Sequence, residues 1–167
     1  DLHSFPTRRS SDLEPAAACH AATLRERPGD YGAQVRARLE NGLAYSAVEY
    51  LEALRWRGPA LAAHLEAIAG IGVIVAPACQ TVAPSIADTD VGAGPNADAI
   101  IMGVTRFMRL VNYLGLPSLA VPAGQSSDGL PIGMQLIGRP FGDELVTALG
   151  QAFQSATDHH LRTPSLP

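Results

Sequence analysis

Ser126-Ser127 is the pair of side chains in this sequence from which acyl-transfer chemistry could start. A serine hydroxyl becomes a useful nucleophile near neutral pH only when a neighbouring base takes its proton. The 12 Lys and Arg positions are all arginine, so no lysine is present to act as that base. No Gly-x-Ser-x-Gly turn occurs either, so a Ser–His–Asp hydrolase lacks its usual setting. The pair falls within Gln125-Ser126-Ser127-Asp128-Gly129, and Asp-Gly is a strong turn signal because both positions tolerate positive φ. It reads as a solvated hairpin tip.

Three other groupings invite a chemical reading. Asp88 and Asp90 stand at alternate positions and could be paired carboxylates for acid–base work, but in a loop such residues are ordinarily solvated. Cys19-His20 offers half of a metal site with no second pair at ligand spacing, so Cys19 reads as a buried helix residue. His159-His160 follow a helix end, where adjacent side chains point in different directions; they read as helix-terminal cations rather than as a ligand pair.

The elements that must position these residues follow from periodicity and breakers. Ala16 to Arg27 is helical in composition, Pro28-Gly29-Asp30 interrupts it, and Tyr31 to Glu40 predicts a second helix stopped by Asn41-Gly42. Leu43 to Ala69 is the longest helical stretch. Its Leu51, Leu54, Leu61, Leu65 and Ile68 form one stripe of expected core packing, and Gly58-Pro59 should kink or divide it. Gly70 ends that helix. Ile71 to Ala76 predicts a strand buried on both faces, stopped by Pro77, and Pro77 to Pro95 an irregular loop over the sheet edge.

Farther on, Asp98 to Tyr113 has helical spacing in Ile101, Val104, Met108 and Val111, closed by Leu114-Gly115-Leu116-Pro117. Ser118 to Val121 and Ile132 to Ile137 should pair as a hairpin. Phe141-Gly142-Asp143-Glu144 opens a last helix, with Asp143 as the expected N-cap and Val146, Leu149, Ala152 and Phe153 as its buried stripe.

A chain of 167 residues with 47% apolar content can bury one core. Its net charge of −4 and scattered arginines argue against nucleic acid, since such partners need positive charge gathered on one face. The longest apolar run, Ile68 to Ala78, is about half a bilayer span, so no membrane segment is expected. Two distant cysteines and no secretory pattern make a cytoplasmic location the default. Residues 1–13 lack a burying periodicity, and Ser4 to Leu13 resembles translated sequencing adapter. The expected division is therefore a non-native leader over 1–13 and one domain fragment over 14–167.

Asn112-Tyr113-Leu114-Gly115-Leu116-Pro117-Ser118-Leu119-Ala120-Val121-Pro122-Ala123-Gly124 is similar to the Asn-Leu-x-Gly-Leu-Pro-Ala-x-x-x-Pro-x-Gly segment of the amidase signature family. Gly129-Leu130-Pro131-Ile132-Gly133-Met134-Gln135-Leu136-Ile137-Gly138 resembles the family's next strand, and Phe141 to Glu144 continues in register. Upstream, Tyr31-Gly32 through Gly42, Tyr50, Arg57 and the prolines from Pro77 to Pro84 agree more loosely but in order.

This resemblance implies an α/β fold, the C-terminal and incomplete portion of a mixed sheet between helices. It also implies amide C–N hydrolysis by a Ser–Ser–Lys triad whose members come from an N-terminal half not seen here. These residues would complete the sheet and one wall of the substrate pocket, with no catalytic residue, metal or cofactor of their own. In relatives that take glutamine, an aspartate lies seven residues before the motif asparagine. Here Thr105 holds that place and Arg106 follows, which counts against glutamine and leaves Thr105, Arg106 and Asn112 as candidate substrate-binding residues. The implied partner is a small-molecule amide or ureide bound by the complete parent, with a homodimer left open. The alternative is a non-catalytic module that docks on a separately encoded N-terminal half.

Overall fold

The computed structural model describes residues 7–89 and 97–163, and the side chains of all of these except 7–15, 97 and 98. Helix α1 spans Thr7–Glu26, a 3-10 turn Pro28–Asp30, α2 Ala33–Leu43, α3 Ala47–Ala67, β1 Val73–Pro77 and α4 Ile86–Thr89. Then follow α5 Ala97–Leu114, β2 Ser118–Gln125, β3 Pro131–Gly138, α6 Asp143–Ala156 and a 3-10 turn His159–Leu161. The described residues divide into two compact units, with breaks after His64, Pro84 and Ile101.

In the first unit α1 packs on α2, burying Ala17, Leu24 and Leu39. Cys19 is exposed, contrary to expectation. At two residues beyond Ala17 it is turned by about 200° around the helix, onto the solvent side. Helix α1 runs from Thr7 without a break at 13/14, while residues 1–6 fall outside the described residues. The stop expected at Asn41-Gly42 is also absent. Gly42 is buried inside α2, which continues to Leu43 and closes with the Ala44 N–H donating to the Asn41 carbonyl.

Helix α3 starts at a capping box rather than at Leu43. The Ser46 hydroxyl accepts the Glu49 N–H at 3.2 Å. In return the Glu49 carboxylate accepts the Ser46 N–H at 2.7 Å and the Ser46 hydroxyl at 2.8 Å. These bonds hold the exposed Glu49 carboxyl below the usual carboxylate range. Pro59 lies inside α3 without dividing it. Gly58 eases this, because part of the clash that disfavours the helical region before proline involves the Cβ that glycine lacks.

In the second unit the strand order is β1-β3-β2, and both pairings are antiparallel. Strand β3 is central and carries the buried Leu136 and Ile137. Strand β1 is an edge. Val75 is 60% exposed, so the strand expected to be buried on both faces is covered only in part. Pro122 is tolerated in β2 because that strand is the other edge and shifts register between Pro122 and Gly124. Helix α6 packs on β2 and β3.

Candidate functional site

The hairpin tip holds Ser126 in structural bonds. The Ser126 N–H donates to the Leu130 carbonyl at 2.8 Å, its hydroxyl accepts the Leu130 N–H at 3.2 Å, and Gly129 adopts a φ of 79°. Ser127 is exposed. No base stands in these bonds, so Ser126 staples the solvated turn that the sequence predicts.

Asp88 is likewise held in a local structural bond. The Ser85 hydroxyl donates to its carboxylate at 2.6 Å and accepts the Asp88 N–H at 3.1 Å, so Ser85 caps the start of α4. Asp90 lies outside the described residues. His20 Nδ1 lies 3.0 Å from the Tyr31 hydroxyl. His159 stacks on Phe153 with ring centroids 6.2 Å apart, while His160 is exposed. Among the described residues no group of three His, Cys, Asp or Glu side chains could hold a metal ion. No described helix is long and apolar enough to cross a membrane.

The substrate-binding candidates lie on α5, whose C-terminus is a Schellman motif. The Leu116 N–H donates to the Val111 carbonyl and the Gly115 N–H to the Asn112 carbonyl, both at 3.1 Å. Gly115 adopts a φ of 68°. Val111 and Leu116 are both buried, the hydrophobic contact such a motif brings. The amidase-like segment from Asn112 to Pro117 therefore encodes a helix stop and the turn into β2.

Thr105 and Asn112 are two turns apart, so they share a face of α5, whereas Arg106 is rotated by about 100° and points elsewhere. Thr105 is half-buried; Arg106 and Asn112 are exposed. The same face carries Arg109, which the sequence reading missed. Arg109 Nε donates to the Thr105 hydroxyl at 2.8 Å, and its Nη1 contacts the Met102 sulfur. The signal was available, since Thr105, Arg109 and Asn112 stand at i, i+4 and i+7.

A second missed residue is Gln135, 3% exposed in the middle of β3. Its Nε2 donates to the Pro77 carbonyl of β1 at 3.0 Å and the Phe107 carbonyl of α5 at 3.2 Å, and its Oε1 lies 3.5 Å from the Ser118 hydroxyl. A buried amide with its donors satisfied fixes the α5 face relative to the sheet. A lone glutamine in an apolar strand run is the sequence mark of such a tie.

Chemically, the face holds a guanidinium, a hydroxyl and a carboxamide. The guanidinium stays protonated and the other two do not titrate near neutral pH, so the face can bind and orient a polar ligand but cannot remove a proton from a nucleophile.

Comparison with known proteins places this arrangement. Residues 13–147 match the family model described as Amidase. The chain is 36% identical to an amidase of Pseudomonas putida over 164 residues, covering 97% of this chain and 35% of that protein. It is 36% identical over 150 residues to a glutamyl-tRNA(Gln) amidotransferase subunit from Roseiflexus sp. (strain RS-1), covering 86% of this chain and 29% of that protein. A solved structure described as a crystal structure of amidase superposes with a TM-score of 0.80 at 25% identity, over 93% of this chain and 36% of that one. The chain thus spans about a third of the length of these curated relatives.

Proposed function

The chain belongs to the amidase family, and from that premise we propose that it forms the C-terminal, non-nucleophilic part of a hydrolase that cleaves amide C–N bonds. The observation that carries the reading is the ordered match over residues 13–147 in a chain that has no lysine. In the complete enzyme a serine outside these residues attacks the amide carbonyl, and a second serine and a lysine pass its proton to the departing amine. Backbone donors hold the oxyanion, and water then releases the acyl group. The present residues contribute sheet and a wall of the substrate pocket, with Thr105, Arg109 and Asn112 facing the substrate.

The preferred substrate is a small amide or ureide rather than glutamine. Identity does not separate the two, since an amidase and an amidotransferase subunit match equally well at 36%. Charge does. The Arg109 guanidinium is bonded to Thr105, a cation beside the position where recognition of a substrate ammonium needs an anion.

The test is a chimera in which residues 14–163 replace the matching third of the P. putida amidase. Hydrolysis of a simple amide that persists, and falls at least about tenfold in kcat/KM with Arg109→Ala, supports the reading. A folded chimera that hydrolyses glutamine in preference sinks the substrate assignment. The 167-residue chain alone should show no rate above blank, and a rate abolished by a serine-directed inhibitor would overturn its non-nucleophilic role.

A further inference from the structure

Among the described residues Gln135 is the single buried polar side chain. Ala76 of β1 and Ala120 of β2 stand level with it on either side, and residues level with one another project from the same face of a sheet. Two small side chains therefore flank the amide and leave it room to reach beyond the strands. It reaches three elements at once: Pro77 where β1 ends, Phe107 in the middle of α5, and Ser118 where β2 begins. A methionine would fill the same space with no directed bond. Burying an amide instead is costly unless its donors are met, and here both are.

We propose that Gln135 is a positioning residue for amide hydrolysis: through α5 it sets where Thr105, Arg109 and Asn112 stand against the substrate. This rests on the proposed function, in which those three face the substrate, and adds the group that holds them in place. Phe107 lies about 200° around α5 from Thr105, with the buried Val111 and Leu114 on the same side. Gln135 thus grips the back of the helix while the polar face looks the other way.

Magnitudes show why a directed bond matters there. Apolar packing alone sets helix orientations with a scatter of about 15–20°. A roll of about 20° carries a group that stands about 6 Å from the axis through about 2 Å, and a misplacement of about 1 Å is enough to cost about a hundredfold in rate. The Gly115 turn pins α5 at its end. The bond to the Phe107 carbonyl pins it about 12 Å farther up the axis, so the helix is held at two levels.

In the 167-residue chain the two Nε2 hydrogens of Gln135 should exchange with solvent as slowly as the backbone amides of β3, and rapid exchange overturns the proposal without any variant. Gln135→Met keeps the length of the side chain and removes both donors. In that variant, amide exchange should quicken at least about tenfold along residues 103–111 of α5 and stay within about threefold on α6. Exchange that quickens equally on both helices shows a general loss of stability, and exchange that changes on neither shows an idle bond; either result overturns the proposal. In the chimera with the P. putida amidase, Gln135→Met should lower kcat/KM for a simple amide at least about tenfold. The same change beside Arg109→Ala should cost no more than about threefold further, because the group that Gln135 places is already gone. An equal cost with and without Arg109 means that Gln135 acts on stability alone, and it overturns the positioning role while hydrolysis itself stands. A folded chimera that carries Gln135 and hydrolyses no amide removes the proposed function, and the positioning role falls with it.

Discussion

Helices α6 and α3 carry the same kind of apolar repeat and meet different fates. On α6, Val146 and Gly150 press onto the sheet, so closely that a Cβ built on Gly150 would run into the Leu119 Cδ2 methyl. On α3, Leu51 is 52% and Leu54 40% exposed, Trp56 is exposed as well, and Ala53 is the buried residue of that stretch. The difference teaches that a repeat of apolar residues tells which side chains share a face, not whether anything covers it. What covers α6 is a strand pair whose glycines and small residues admit the helix backbone.

The sharpest way to break this comparison is to put bulk where α6 touches the sheet. Gly150→Val forces Leu119 and the neighbouring Leu136 out of their positions and should cost about 3 kcal/mol. Urea unfolding monitored by circular dichroism measures it. A cost below about 0.5 kcal/mol would mean that α6 rides loosely on the sheet, which removes the contrast with α3.

Legibility divides along the same line. The hairpin, the Gly115 helix stop and the Gly129 turn are local devices, each set by a few adjacent residues, and all three stand as predicted. The α/β class and the family were readable from the ordered run of residues between Asn112 and Glu144, because that run specifies turns and close backbone approaches that few residues satisfy. What misled was burial. The expected stripe Val146, Leu149, Ala152 and Phe153 took the wrong edge of α6: Gly150 belongs to the sheet-facing side, and Leu149 and Ala152 face outward. Asp143, expected as the N-cap, is the first helical residue after Gly142, whose backbone lies so close to Arg139 that a side chain would not fit. On the α5 face, resemblance singled out Thr105 and Asn112, whereas Arg109, bonded to Thr105, needed only helical spacing.

An intermediate effect separates the start of α3 from its apolar stripe. Ser46→Ala removes the capping hydroxyl and should cost about 1 kcal/mol by thermal unfolding. The Glu49 carboxyl loses a hydrogen-bond donor in the same variant, so its titration followed by NMR should move up toward the ordinary carboxylate range. Because its folded value is depressed, the stability linked to Glu49 is present above that range and is lost as pH falls through the lowered folded value. The parent's advantage over Ser46→Ala should therefore shrink on acidification. An advantage that is flat with pH would mean that the carboxylate contributes nothing to the cap.

The smallest effect carries the other half of the comparison. Leu51→Ser replaces an apolar side chain that is already half in water. The isolated chain should therefore lose no more than about 0.5 kcal/mol. The same change at the fully buried Leu136 should cost several times as much, because it leaves a cavity. Equal losses at the two positions would show that something covers Leu51 in solution. A loss at Leu51 that grows with protein concentration would point to a second copy doing so, because stability that depends on association follows mass action. A loss independent of concentration would mean that the chain's own residues close over α3, and the contrast between the helices would then reflect two covered faces instead of one.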